Sequence, residues 1–524
     1  MMPKQSSTLV FGLFALGLGI GLGYGLAVSN GRSTLADSAY TEANRTSAAE
    51  SPRPDSLHLR QSPPAVASSP TSTDFGLGDH HVSKLEPYPP GGKGARTPFD
   101  LWRYAGRGSS SWETPRLPMP FTEWLALHEA QKPKLMADVK AYMGGRFRFS
   151  GEALPGTYMS GGKPIMKGPV AVLPPGVATF EELATLVPDE IKARDLFPYK
   201  PLCHPLQTTA HMLFPASWVK AHPEHERIDV DFDIPDEYLP EFPPPLFLST
   251  HKELGDVAQG REITLSNYYE IFNGLLTAEQ MEGLKELLRA SPTTWFNHTE
   301  HRVTREPSAG VSCFSCHVNG HTNGAIELAP DSRPNQARLR MDTPTLRGNY
   351  NLMQFSSKRS IRSMDHFAEV EEYFDGDPAM MQAIGPRGVQ RHITNRMGDF
   401  NAIIDCPPAP KLDAFDRLIP SLATEAELRG EALFYGKGRC VECHTGPAFV
   451  DDYLHDLKAE RFYVGRPEGP IKTFPLRGIK ESPPYLHDGR CPTLHDTVEF
   501  FNLVLGLGLT PQEKDDLVAF LLCL

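Results

Sequence analysis

Apolar positions recur with a helical period in five stretches of this 524-residue chain, and most carry their own start or stop signals. Helical spacing runs through FTEWLALHEAQKPKLMADVKAYM from Phe121, and PPGVATFEELATLVPDEIKARDLF from Pro174 predicts a capped short helix behind a Pro-rich turn. LTAEQMEGLKELLRASP (Leu276–Pro292) predicts a helix by its apolar spacing. In TEAELRGEALFYGKGRC, Thr424 with Glu427 forms a capping box, Leu428, Ala432 and Leu433 share a face, and Gly436 ends the helix. LTPQEKDDLVAFLLCL repeats that logic. Thr510 caps, Pro511 takes the first helical position, Glu513 completes the box, and Leu517, Phe520 and Leu521 point inward. Elsewhere the period is lost. Residues 30–95 are rich in Ser, Pro, Thr and Ala and read as a flexible linker. Ile228–Pro245 alternates acidic and apolar residues, then stiffens with prolines.

Among the helices lie two copies of Cys-x-x-Cys-His, CFSCH at Cys313–His317 and CVECH at Cys440–His444. In this pentapeptide two thiols add to the vinyl groups of a porphyrin and the adjacent imidazole binds its iron. Cys313, Cys316, Cys440 and Cys443 are therefore read as attachment points of two covalent haem c groups, and His317 and His444 as iron ligands. The alternative is one four-thiolate zinc site. Zinc ribbons space their pairs by ~15–20 residues, whereas 127 positions separate these and a His follows each. A helix leading into CxxCH and a final helix packing across the haem describe a small all-helical cytochrome c module. The fold expected is mainly α, with two cytochrome c-like haem modules in tandem, 266–410 and 411–524, after an irregular Pro-rich N-terminal region. Residues 96–265 carry no motif, because the Cys203-His204 pair lacks a second thiol.

The net charge of −12 argues against a nucleic-acid partner and fits a basic redox partner. Forty-nine Pro and 44 Gly imply long irregular connections. After Lys4, Leu9–Val28 runs 20 residues without a charge, longer than the ~7–15 of a signal-peptide core and long enough to span a bilayer. Residues 1–29 are read as a membrane anchor in preference to a cleaved signal. Either way the bulk is exported to the periplasm, the side on which haem c is attached. Cys203, Cys406, Cys491 and Cys523 remain, to be paired in an oxidising compartment or buried as free thiols.

The segment FPLRGIKESPPYLHDGRCPTLHDTVEFFN (Phe474–Asn502), its partner PTLRGNYN (Pro344–Asn351) and both CxxCH motifs resemble the bacterial dihaem cytochrome c peroxidase/MauG family. The likeness spans about residues 310–524 and leaves 1–265 uncovered. It implies a peroxidatic haem on His317 and a low-spin relay haem on His444. Peroxidases of the family block the active haem with a distal His some 16 residues on. Here that position is Arg333, no His occurs from Thr322 to Asp365, and His321 is too close to reach the opposite face. The resemblance thus implies an open or water-bound site, as in MauG.

Fourteen residues after His487, where the family places the relay's distal Met or Tyr, stands Phe501. Tyr463, in ERFYVGRPEG, is the substitute chosen as iron ligand, its alternative being an aromatic packed on the porphyrin. Peroxide cleavage needs an acid over the open haem. Glu371, Glu372 and Asp377 in SMDHFAEVEEYFDGDPAM are the candidates, His366 competes with them, and a solvated acidic helix face is the alternative. The family's inter-haem Trp is replaced by Phe355 and Ser356. A calcium ion between the modules would match Asp342, Ser482 and Pro484, unless Asp342 only caps the following turn. The activity implied is reduction of hydrogen peroxide to water with electrons from a small protein such as a cytochrome c or cupredoxin. The alternatives are a MauG-like oxidase of a protein side chain and a non-enzymatic dihaem electron-transfer protein.

Overall fold

Two helix pairs cross at glycines, and these crossings organise the chain. The computed structural model describes residues 121–202, 204, 211–227, 230–290, 311–328, 340–355, 363–364, 391–465 and 467–524. Its main helices are α1 (Phe121–Arg146), α2 (Phe180–Ala184), α3 (Pro188–Ala193), α4 (Ala278–Leu288), α5 (Cys313–Cys316), α6 (Arg391–Asn401), α7 (Glu425–Tyr435), α8 (Leu494–Leu505) and α9 (Pro511–Leu521). Strands are short and pair antiparallel, the largest sheet placing Ile326–Leu328 between His211–Leu213 and Arg340–Asp342. The fold is mainly helical, as expected. Among the described residues no helix is long and apolar enough to cross a membrane.

The same local plan occurs twice. Helices α4 and α7 each open with a reciprocal capping box, Thr277 with Gln280 and Thr424 with Glu427. Six positions after each threonine comes a glycine pressed against the backbone of a later helix. A Cβ on Gly283 would lie 1.9 Å from the Arg396 carbonyl oxygen of α6, and one on Gly430 would lie 1.9 Å from the Asp516 carbonyl oxygen of α9. Only a hydrogen atom permits such an approach. It also turns the buried face of α7 toward Gly430 and Phe434, so Leu428 and Leu433 are half-buried and Ala432 is exposed, a correction to the face read from spacing. The inward set of α9, Leu517, Phe520 and Leu521, is buried as expected. Gly430→Ala gains about 1 kcal/mol of helix propensity against an overpacking cost of about 1–3 kcal/mol or more. The clash wins, and the urea midpoint falls. An unchanged midpoint would mean that α7 and α9 separate freely.

Residues with no motif turn out to be core. Helix α1 spans Phe121–Arg146 despite Pro133. The expected helix after Pro174 is split into α2 and α3, because Val187 is extended and Pro188 starts a new helix. Val177, Phe180, Leu183, Ile191, Phe197 and Tyr199 join the core built by α7, α8 and α9. Leu246, Val257 and Ile263 join that of α4 and α6, so the boundary drawn at 265 runs through the first core. Asp496, fully buried, holds this arm in place: its carboxylate accepts from the backbone N–H groups of Val170 and Ala171 and the hydroxyls of Tyr199 and Thr493.

Candidate haem-binding sites

Each Cys-x-x-Cys-His folds into one helical turn that aims its histidine inward. The His317 N–H donates to the Cys313 carbonyl at 2.9 Å, and the His444 N–H to the Cys440 carbonyl at 2.9 Å. Ser312 and Ser315 form a capping box around α5, whereas the second turn is 3-10, entered through Arg439 at a left-handed φ of 55°. The Cys440 and Cys443 thiols are unbridged, as thioether formation requires.

A second tie repeats behind each motif. In PTLRG, the Leu346 N–H donates to the Gly320 carbonyl and the Gly348 N–H to Ile404, just past α6. In FPLRG, the Leu476 N–H donates to Ala448 and the Gly478 N–H to Leu524, just past α9. Both glycines are left-handed, with φ of 71° and 73°. The segments bring the Pro344 carbonyl beside His317 and the Phe474 carbonyl beside His444. Burial lowers the His317 pKa to about 4 and lowers that of His444, against the Phe449 carbonyl that favours its proton. Both imidazoles are therefore neutral at physiological pH. His444 donates through Nδ1 to the Phe449 carbonyl at 2.9 Å, which leaves the Nε2 lone pair for a metal. The Nδ1 of His317 is sealed from solvent without a hydrogen-bond partner. A buried neutral ring faced by a backbone carbonyl, beside two cysteines of the same turn, fits a covalently attached haem at each motif.

Several positioning residues were not read from the sequence. Asn319, fully buried at a φ of 50°, holds the turn after His317 through the Ile263 N–H and the carbonyls of Pro244 and Arg261. The Asn-Gly pair after CxxCH was the available turn signal. His321 accepts from the Thr345 hydroxyl at Nδ1 and donates from Nε2 to the Glu481 carbonyl, both at 2.8 Å. That commitment agrees with its exclusion as a distal ligand. The Glu481 carboxylate meets Arg347 at 2.5 Å and accepts from the Ser160 N–H at 2.9 Å. One residue thus ties FPLRG, PTLRG and the N-terminal arm.

Tyr463, expected as an iron ligand, is 2% exposed, and its hydroxyl donates to Glu468 at 2.6 Å. Burial, then the Glu468 charge, pushes its pKa up. Phe501, at the family's ligand position, is a partly buried member of the same core. His366, Glu371, Glu372 and Asp377 lie outside the described residues, as do Ser356, Arg333 and Cys203. Cys406, Cys491 and Cys523 are free thiols. The residues matched to calcium do converge in part: Gly489 packs against Pro484 and Asp342. Asp342 Oδ1 is buried without a partner, and burial, opposed by Arg340 and reinforced by Asp488, pushes that carboxyl well above its ordinary range. A buried carboxyl oxygen without a hydrogen-bond partner is a suitable hard-oxygen ligand for a cation. Ser482 is half-buried, its hydroxyl facing the Ile479 carbonyl at 3.4 Å. Among the described residues no three His, Cys, Asp or Glu side chains gather as a metal cluster, so backbone carbonyls would complete such a site.

No family model matches the chain. Curated proteins do. The cytochrome-c peroxidase IdrP2 of Pseudomonas sp. (strain SCT) is 29% identical over 177 residues, covering 25% of this chain and 48% of that protein. The methylamine utilization protein MauG of Methylorubrum extorquens is 31% identical over 158 residues, 25% of this chain and 43% of that protein. The chain is similar to cytochrome-c peroxidases and to MauG, in line with the dihaem family it resembles in sequence. The cytochrome c551 peroxidase of Nitrosomonas europaea is 26% identical over 249 residues, 41% of this chain and 74% of that protein. The chain spans about half the length of the first two relatives. Against this family, the arm that binds Asp496 and Glu481 lies outside the segment carrying the sequence resemblance.

Proposed function

We propose that this chain is a periplasmic dihaem c-type peroxidase that reduces hydrogen peroxide to water with electrons from a small cytochrome or cupredoxin. The observation that carries the reading is the doubled site: two CxxCH turns, each with a buried neutral imidazole faced by the carbonyl of its own LRG segment. When bound, haem c supplies one-electron redox chemistry and O–O bond cleavage. Cys313 and Cys316 anchor one group with His317 as ligand, and Cys440 and Cys443 anchor the other with His444. The first is the peroxide site and the second the electron relay, in the order that the resemblance implies. The exported location rests on the chemistry of haem c attachment and on the apolar stretch Leu9–Val28, which anchors the chain. Similarity to MauG keeps side-chain oxidation as a second reading.

The test is steady-state peroxide consumption by the full-length holoprotein with reduced cytochrome c as donor, beside spectra of the ferric form. Saturable turnover with at least one high-spin haem is expected. Two fully low-spin haems and turnover no better than free haem would defeat the reading.

A calcium ion at Asp342 belongs to the same proposal. At a hundredfold excess over Kd it stabilises the fold by about 2.7 kcal/mol. Chelation then lowers the Tm of the wild type and leaves that of Asp342→Asn unchanged. Equal response of both proteins would remove the site.

A further inference from the structure

We infer that Tyr463 is a redox-active phenol, with Glu468 as the acceptor of its proton, in place of the iron ligand expected from the sequence. The inference rests on the peroxidase reading for its oxidant, hydrogen peroxide. It stands on geometry that the reading does not use.

Four phenol positions invite comparison. Tyr350 donates to Asp405 but is 45% exposed, so water would quench it. Tyr199 is buried, but its bond to Asp496 is 3.1 Å and that carboxylate is shared with two backbone N–H groups and Thr493. Tyr485 is buried beside no carboxylate hydrogen bond, its burial being the main influence on it. Tyr463 combines 2% exposure with a 2.6 Å bond to a carboxylate. Its ring stacks on Phe197 at 6.0 Å, and Phe197 stacks in turn on Phe462 at 5.2 Å. This aromatic wall excludes the water that consumes phenoxyl radicals. Phe197 comes from the N-terminal arm, which gives that motif-free region a purpose at the site.

A buried phenol loses an electron readily only if its proton can leave at the same time, because a phenol cation inside a protein is strongly disfavoured. Glu468 Oε1 sits on that proton. The same oxygen accepts from Arg490 at 2.7 Å, and Arg490 also pairs with Asp488 at 2.8 Å. Two carboxylates and one guanidinium, with the His487 ring 3.6 Å from Glu468 Oε2, carry a net single negative charge when that imidazole is neutral. Arrival of a proton on Glu468 neutralises the cluster, whereas release of a proton from Tyr463 without electron loss would deepen its charge. The cluster therefore favours loss of proton and electron together. Glu468 is a weak base, but an oxidised phenol is a far stronger acid than any carboxylic acid. In the step, the Tyr463 O–H bond breaks, one electron passes to the peroxide-derived oxidant, the proton moves to Glu468 Oε1, and a neutral phenoxyl remains. One donor electron and the returned proton restore the phenol.

Two experiments on full-length holoprotein test the inference. In the first, freeze-quenched ferric protein mixed with hydrogen peroxide is read by electron paramagnetic resonance. A tyrosyl signal that narrows on ring deuteration of tyrosine, and falls at least tenfold in Tyr463→Phe, is expected. Glu468→Gln should lower its yield at least tenfold too, while the ferric spectra of both variants match the wild type. In the second, a photogenerated ruthenium(III) polypyridyl oxidises the protein without peroxide, and radical formation should slow in deuterium oxide in the wild type. A tyrosyl signal that persists in Tyr463→Phe overturns the inference. So does a change of ferric spin state in Tyr463→Phe, which would make the phenol an iron ligand. If peroxide is not consumed, the peroxidase reading fails, and the flash experiment still decides for or against Tyr463.

Discussion

Arg347→Ala lowers the free energy of unfolding by about 3–5 kcal/mol, because it leaves a buried carboxylate without its cation. Arg347 and Glu481 are both 2% exposed and 2.5 Å apart. The guanidinium also donates to the Pro245 carbonyl and lies 5.4 Å from the centre of the Phe247 ring. Removing it strands the Glu481 carboxylate, which then keeps Ser160 as a partner, and loosens PTLRG, which carries Pro344 to His317. The measurement is urea unfolding together with the amount of haem incorporated per chain. A double-mutant cycle separates the pair from its surroundings. Arg347→Leu combined with Glu481→Met should regain most of the loss, since two apolar side chains of similar volume replace two buried charges. If the double variant is no more stable than Arg347→Ala, the ion pair is not the source of the effect.

Local rules were legible where the partner lies within one helix turn. The boxes at Thr424 and Thr510 are complete within three residues, and both appear in the structure. The box at Thr277 is written in the same code, TAEQ, and only the helix was read from it. The two CxxCH turns are likewise local. What stayed hidden depends on partners far along the chain. Gly430 is an unremarkable mid-helix glycine until α9 crosses it, and Gly283 at the matching position was the clue in the pattern. Glu481 meets Ser160 across 321 positions and Arg347 across 134, and no spacing rule reaches that far. Residues 153–200 lack a motif for a related reason. They serve as filler for a core whose polar anchor, Asp496, sits at the start of a helix that the sequence pattern did not single out.

His317→Ala and His444→Ala should fail in different ways, and that difference tests the assignment of roles more sharply than overall activity. Each variant keeps its two cysteines, so covalent haem remains on denaturing gels stained for haem. His317 lies in a turn held by Asn319 and by the PTLRG tie, so its loss removes the ligand without dismantling the scaffold. Losing a partner that merely orients a metal ligand costs ~10–100-fold, so losing the ligand itself should cost about 10²-fold or more in the rate of reaction with peroxide. On the proposed assignment of peroxide to the His317 site, His444→Ala should leave that first reaction within about threefold of the wild type. Its steady-state turnover with reduced cytochrome c should nonetheless fall by about 10²-fold or more if the haem on His444 is the proposed electron relay. Rapid mixing of ferric protein with peroxide reads the first quantity, and donor oxidation reads the second. The opposite pattern, with His444→Ala blocking the single reaction with peroxide and His317→Ala sparing it, would exchange the two roles and place the peroxide site in the core shared with Phe197 and Tyr463.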